Sequence, residues 1–328
     1  MTEGGCVFAG PPHCWCISKG MAGMNSQTSG LAEAVGVPYT MMDTRIAMPW
    51  TLLPPGWCPR SLSVVSGPPG LKSGPPPGLV ISCGRHGIVP SLALKRKFGN
   101  RVFTVHIQDP KMPGKHFDLV VAPEHDAVAG ENVYRTTGAL HYVTPERLAV
   151  ARESAEAAAI GAGGQGIVAV LLGGRNGYYR FAESEAEVLA AALKATATEN
   201  NVRLVVVSSN RTEPGVIERM RQALGREHYV WDGVSPNPYF AALSRADYIV
   251  VTGDSVSMVS EAAATGQPVF VHHLPKRRPS PRFEHFHAQF ERAGITRPFT
   301  GSLARWRYEA PNDTPHIAAL IRERIGLG

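Results

Sequence analysis

Tyr248-Ile249-Val250-Val251-Thr252-Gly253-Asp254-Ser255-Val256-Ser257-Met258-Val259-Ser260-Glu261 continues through Ala262-Ala263-Ala264-Thr265-Gly266-Gln267-Pro268 to Val269. An apolar run (248–251) meets a Gly/Asp/Ser turn, then a helical segment, then Thr-Gly-x-Pro and a second apolar run (269–271). That order is one β-α-β unit with small hydroxyl residues at the helix start. A helix N-terminus presents N–H groups without intrahelical acceptors and a partial positive charge, so Ser255 and Ser257 mark a place that suits a phosphate. Glu261 lies about one and a half turns further in, within reach of a ribose diol. The same residues also read without any ligand, with Asp254 or Ser255 serving only as the helix cap.

Working outward, the alternation repeats. On the C-terminal side of a Gly-rich break at 161–166, an apolar run at 167–172 precedes Gly173-Gly174-Arg175-Asn176-Gly177 and a long helical segment at 183–199. A strand at 203–208 leads to Ser209-Asn210-Arg211-Thr212, followed by a helix at 214–224, a strand at 229–231 and a helix at 237–244. A closing helix is expected at 317–325. On the N-terminal side, a strand at 14–18 precedes a Gly-rich turn (20–27) and a helix at 29–35 ended by Gly36. Strands follow at 79–82, 101–107 and 117–122, each running into a polar turn: Gly84-Arg85-His86-Gly87, Gln108-Asp109-Pro110 and Pro123-Glu124-His125-Asp126. A helix is expected at 89–97 and another at 145–160. Residues 54–78, dense in Pro and Gly, read as loop, with Trp50 and Trp57 beside it positioned to pack onto the domain or to touch a lipid or partner. The fold class is α/β: two Rossmann-like, doubly wound parallel-sheet domains (1–160 and 161–328) facing a cleft, with the last helix packing back on the first.

At 328 residues the chain is long enough for two such domains, and its 44% hydrophobic and 18% charged residues fit a globular protein. No apolar run reaches the ~20 residues that span a bilayer, and no basic segment followed by an apolar stretch opens the chain. The expected location is cytoplasmic, with the inner face of a membrane as a peripheral site. The net charge of +6 favours anionic partners, and Lys276-Arg277-Arg278 stands close after the 248–271 unit. No nucleic-acid-binding signature is visible. Five cysteines (Cys6, Cys14, Cys16, Cys58, Cys83), odd in number and confined to the first quarter, argue against a disulfide framework. Neither Cys14-x-Cys16 with His13 nor the His272, His273, His285, His287 group has the spacing of a standard metal site, so no metal is expected.

Six motifs in order resemble the mitochondrial fission ELM1 family, known from plants and bacteria. They are Gly20-x-Ala22-Gly23-x-x-x-Gln27, Ser82-Cys83-Gly84-Arg85, His106-Ile107-Gln108-Asp109-Pro110, the run from Phe117 to Asp126, Thr137-Gly138-Ala139-Leu140-His141, and Gly253 to Glu261. The resemblance covers nearly the full length and departs at Met21 and Met24, where charged residues are usual. It implies a layout similar to GT-B glycosyltransferases, whose C-terminal lobe holds a nucleotide-sugar. It also implies an alternative, a non-catalytic scaffold that recruits a dynamin-like protein to a membrane. A two-lobed sugar-nucleotide epimerase is a third reading.

Glycosyl transfer needs charge stabilisation on the departing diphosphate and a base for the acceptor hydroxyl. With no Asp-x-Asp motif, helix N-termini and basic side chains take the metal's place. The candidates for a UDP- or GDP-linked donor are Gly173, Gly174, Arg175, Ser209, Arg211, Ser255 and Ser257 for the diphosphate, with Glu261 for the ribose. Candidates for the base are His125, Glu124, Asp109 and His86, each after a strand; Arg85 and Gln108 would bind acceptor or close over the donor. The expected partners are a nucleotide-sugar as substrate, a membrane-associated acceptor or membrane surface, and a protein partner; no separate cofactor is expected.

Overall fold

The computed structural model describes residues 12–161 and 165–327; Cys6 and positions 162–164 of the Gly-rich break lie outside the described residues. The chain divides into two compact units, residues 1–142 with 312–328, and residues 143–311. The second unit begins at Val143 rather than at residue 161.

The first unit is built on a six-stranded parallel sheet. Its strands are β1 (Cys14–Ser18), β2 (Tyr39–Asp43), β5 (Leu79–Cys83), β6 (Phe103–Ile107), β7 (Leu119–Pro123) and β8 (Val133–Thr136), in the order β2-β1-β5-β6-β7-β8. Every residue of β1, β5, β6 and β7 is buried, the mark of a parallel sheet covered on both faces. Helix α1 (Ala22–Val35) covers one face together with the last helix, α11 (Thr314–Arg324): Leu31, Val35, Ile317 and Ile321 pack on Cys14, Cys16, Ile81 and Val105. Helix α3 (Arg85–Phe98) covers the other.

The first unit departs from three local expectations. Helix α1 begins at Ala22, seven residues before the expected start at Ser29; the Thr28 and Ser29 hydroxyls bond back to the carbonyls of Met24 and Asn25 inside the helix rather than capping a new one. Helix α3 takes in Arg85, His86 and Gly87, expected as a turn, despite Pro90 inside it. Pro90 has no N–H for the carbonyl of His86, and the Thr44 hydroxyl donates to that oxygen instead, at 2.9 Å. Residues 54–78 are not plain loop. The hairpin of β3 (Arg45–Ile46) and β4 (Val65–Ser66) brackets single 3-10 turns at Trp50–Leu52, Pro55–Trp57 and Leu62–Val64, and α2 (Gly70–Ser73) follows.

The second unit carries helices α4 (Pro145–Arg152) and α5 (Ala155–Ile160) where one helix was expected. Ser154 starts the second by accepting from the N–H of Ala157 at 3.2 Å. Its sheet comprises β9 (Gly166–Leu172), β10 (Val202–Ser208), β11 (Tyr229–Val230), β12 (Tyr248–Thr252), β13 (Val269–His272) and β14 (Thr296–Pro298). All pair in parallel, in the order β11-β10-β9-β12-β13-β14. Helices α6 (Glu183–Asn200) and α7 (Pro214–Leu224) pack Leu189, Leu193, Val216 and Met220 on one face; α8 (Tyr239–Arg245), α9 (Val256–Ala263) and α10 (Pro281–Arg292) pack Ala242, Val259, Phe286 and Phe290 on the other. Helix α10 lies where the sequence reading set out no element, only His285 and His287.

Candidate functional site

In the second unit the strand order reverses between β9 and β12, so the loops leaving these strands part at the carboxyl edge of the sheet. A buried polar clasp fixes both loops. The Thr252 hydroxyl accepts from the N–H of Gly173 (2.7 Å) and donates to Asp254 Oδ1 (2.7 Å). Asp254 Oδ2 accepts from the N–H of Gly174 at 2.9 Å and pairs with the Arg211 guanidinium at 2.7 Å. Arg211 also donates to the Gly174 carbonyl at 2.8 Å, and the Thr212 hydroxyl to that of Leu172 at 3.1 Å. The packing leaves no room for a β-carbon: one on Gly173 would lie 2.2 Å from Asp254 Oδ1, and one on Gly174 would lie 2.0 Å from the Arg211 carbonyl oxygen.

This clasp reassigns several candidates. Arg211 holds Asp254, whose side chain is 0% exposed, so its charge is engaged inside the protein. The Ser209 hydroxyl accepts from the N–H of Arg211 at 3.3 Å and shapes the turn. Asp254 does not cap α9. Ser255 does, accepting from the N–H of Met258 at 3.4 Å, and Ser257 follows within the first turn. Glu261 is buried on α9, its carboxylate accepting from the Tyr239 hydroxyl at 2.6 Å. Arg175 is exposed, with Glu213 at 4.0 Å.

Four residues that sequence reasoning left out of the site complete this edge. Asn176 donates to the Asp254 carbonyl (3.1 Å) and accepts from the N–H groups of Tyr178 and Tyr179, tying the β9 loop to the β12 loop. The segment after β13 folds back on the same loop: Arg277 donates from its backbone to Tyr178 O (2.7 Å), and Arg278 lies over the Tyr178 ring at 4.5 Å. The Lys276-Arg277-Arg278 run was the visible signal for this pair. Tyr239, which orients Glu261, gave none.

His287 donates from Nε2 to the Gly253 carbonyl at 2.7 Å, and burial pushes its pKa down to about 4. It is a neutral strut under the β12 turn. Among the described residues no group of three or more His, Cys, Asp or Glu is arranged to hold a metal ion.

In the first unit the base candidates stand in different environments. His86 Nδ1 accepts from the N–H of Ile46 at 2.9 Å, which places the proton of the neutral ring on Nε2. Burial, with Lys19, Arg85 and Arg45 nearby, lowers its pKa, so its outer nitrogen is a donor rather than a base. Asp109 accepts from the backbone N–H of Lys111 (2.7 Å) and pairs with its ammonium (2.6 Å). His125 is buried and Glu124 is exposed, just past β7. Gln108 follows β6 directly, at φ 79°. The Arg85 guanidinium is spent on the carbonyls of Thr51 (2.7 Å) and Leu53, which makes it a brace of the 50–57 segment.

A family model described as mitochondrial fission ELM1 matches residues 22–325. The chain belongs to the mitochondrial fission ELM1 family. The Arabidopsis thaliana mitochondrial fission protein ELM1 is 32% identical over 280 residues, 76% of this chain and 64% of that protein, so the chain spans under two thirds of that relative's length. An uncharacterised Rickettsia prowazekii protein is 26% identical over 283 residues, 75% of this chain and 79% of that one. Among solved structures, the UDP-GlcNAc 2-epimerase of Methanocaldococcus jannaschii aligns with a TM-score of 0.56 at 11% identity, over 95% of this chain and 99% of that one. S. aureus MnaA, in a co-structure with UDP, gives 0.53 at 16% identity, over 95% and 87%. The spinosyn forosaminyltransferase SpnP gives 0.50 at 12%, over 97% and 95%. At such identities the likeness shows the fold alone. The ELM1-family chain has the two Rossmann-like units of the GT-B fold.

Proposed function

We infer that the second unit binds a nucleotide-sugar, UDP- or GDP-linked, and that the protein is a metal-independent glycosyltransferase. The observation that carries the reading is the edge between β9 and β12, where the first turn of α9 and the braced carboxylate of Glu261 stand one and a half turns apart on one helix. Glu261 would accept from the ribose hydroxyls. The first-turn N–H groups of α9, with Arg175, Arg277 and Arg278, would face the diphosphate. UDP in the MnaA co-structure, a protein of this fold, supports the same chemistry here. In the transfer, the acceptor oxygen forms a bond to the anomeric carbon as the bond to the diphosphate oxygen breaks. The acceptor proton passes to a base, and the charge left on the nucleoside diphosphate is met by the helix and the arginines. Glu124, an exposed carboxylate just past β7, is the base this reading favours, with His125 beside it. A membrane-associated acceptor accords with the basic net charge.

Calorimetric titration with UDP, GDP, ADP and their common sugar conjugates tests the donor site. Micromolar binding of one nucleotide, lost in Glu261→Ala, is expected; no binding to any of them overturns the reading. A specific observation favours a second one, the non-catalytic scaffold that recruits a dynamin-like partner: His86 and Asp109 are engaged within the fold, and the plant relative is named for mitochondrial fission. Nucleotide binding without turnover of any conjugate would put that reading first. Interconversion of UDP-GlcNAc with its 2-epimer, followed by NMR, would instead indicate an epimerase.

A further inference from the structure

Residues 44–108 contain no Asp or Glu, in a chain that has 27 of them, and carry eight Lys and Arg. Within this stretch, residues 46–59 (IAMPWTLLPPGWCP) have no charge at all. They form the excursion between β3 and β4, and its side chains divide between two faces. Trp50, Leu53 and Cys58 turn inward onto the core that includes Trp15, Ile46 and Val65. Met48, Leu52 and Trp57 turn outward and are 66%, 72% and 76% exposed. Surface of this kind on a loop is usually a sign of mobility, but this one is braced. Arg85 holds the carbonyls of Thr51 and Leu53, and the Cys58 thiol donates to Trp50 O at 3.3 Å. A rigid segment that shows a methionine, a leucine and a tryptophan to solvent marks an interaction site.

The charge around it selects the occupant. Arg45, Arg60 and Lys72, all on the same excursion or just past it, are exposed, and no acidic residue interleaves with them. A protein interface of mixed polarity would bring both signs to its rim. Tryptophan and leucine projecting from a uniformly basic segment match the headgroup boundary of an anionic bilayer, where the indole sits at the interface and Lys and Arg meet lipid phosphates. No helix of the described residues is long and apolar enough to cross a membrane, so this contact would be peripheral. We propose that the 46–59 segment is a membrane-docking element that inserts Met48, Leu52 and Trp57 into an anionic lipid surface, with Arg45, Arg60 and Lys72 on the headgroups. It stands whether or not the second unit binds a nucleotide-sugar.

Flotation of the full-length protein with vesicles tests it, phosphatidylcholine mixed with phosphatidylglycerol against phosphatidylcholine alone. The protein is expected to float with the anionic vesicles, less as salt is raised. Leu52→Ser with Trp57→Ser should weaken partitioning roughly tenfold or more, since each side chain loses apolar burial in the lipid. Arg45→Glu with Lys72→Glu should weaken it by roughly tenfold as well. These residues are exposed, and an unchanged circular dichroism spectrum and nucleotide titration would show that the fold and the donor site are intact. Three results would overturn the proposal: no flotation, equal flotation with both vesicle types, or flotation indifferent to the Leu52/Trp57 pair. Size-exclusion chromatography interprets the last of these: a wild-type dimer that the same pair converts to monomer without loss of flotation would assign the patch to a contact between copies.

Discussion

Asp254→Ala removes the centre of the clasp between the β9 and β12 loops. The Asp254 carboxylate, fully buried, accepts from the Gly174 N–H and the Thr252 hydroxyl and pairs with Arg211. Its loss leaves a guanidinium without its carboxylate and strands a buried N–H. Breaking a buried pair by removing one partner costs about 3–5 kcal/mol. Two features lower the figure here: Arg211 is 26% exposed and keeps its bond to the Gly174 carbonyl. About 3 kcal/mol is the expected loss, which for a unit of this size lowers Tm by roughly 6–12 °C. Asp254→Asn keeps the shape and one acceptor, and about half that loss is expected. Urea denaturation followed by tryptophan fluorescence reports the second unit through Trp231 and Trp306. A double-mutant cycle with Arg211→Ala isolates the pair, with an expected coupling of about 1–3 kcal/mol. A loss below about 1 kcal/mol for Asp254→Ala, or coupling indistinguishable from zero, would refute the clasp and return Arg211 to the list of ligand-facing residues.

Gly174→Ala should destabilise the same unit by about 2 kcal/mol or more, since its β-carbon would lie 2.0 Å from a backbone oxygen; wild-type denaturation would contradict the packing. Tyr239→Phe should weaken nucleotide binding roughly fivefold by releasing Glu261, read by the titration that tests Glu261→Ala. His287, neutral and buried with a pKa near 4, is protonated more readily in the unfolded chain, where the ordinary value is 6.5. The unfolded state thus binds more protons between these values, and stability falls as pH drops from 6.5 towards 4, by about 3 kcal/mol from this residue. His106, pushed by burial to about 3, adds to the loss in the same direction. Denaturation at neutral and mildly acid pH should show the loss, and His287→Gln should shrink it; an unchanged pH slope in that variant contradicts the assignment. Thr44→Val should cost about 1 kcal/mol by orphaning the His86 carbonyl, and less in a Pro90→Ala background, where residue 90 regains an N–H for it.

The fold was legible because its signals are local and repeated. The strands at 14–18, 79–83 and 166–172 are apolar runs with no competing pattern, and each ends in a polar turn, which is what a parallel sheet buried on both faces requires. The misplaced boundaries have two causes: a partner distant in the chain, and side chains that bond to the backbone within one turn. Helix α3 starts earlier than expected and runs through Pro90, because Thr44, 46 residues earlier, supplies the donor that the helix lacks. Ser154 broke the 145–160 helix because its hydroxyl starts a second one, a choice that a Ser in a helical pattern does not announce.

The site divides the same way. Ser255, Ser257 and Glu261 could be read together because one helix carries them at fixed spacing. Arg211 could not be read correctly, since nothing near it in sequence reveals that Asp254, 43 residues away, claims its charge. Asp254 was legible as a turn residue but not as the hub of the turn, a role set by strands that neighbour each other only in the folded sheet. The clasp also defines the chemistry that remains open to a ligand. Once Arg211 and Ser209 are assigned to holding the loops, the charges left to meet a diphosphate are Arg175 and the Arg277-Arg278 pair, which arrives from the far side of β13. A diphosphate would then be met by one helix terminus and by arginines from two loops. Charge reversal at Arg278 should therefore weaken nucleoside diphosphate binding far more than nucleoside binding, whereas equal losses for both would place the arginine outside the phosphate site.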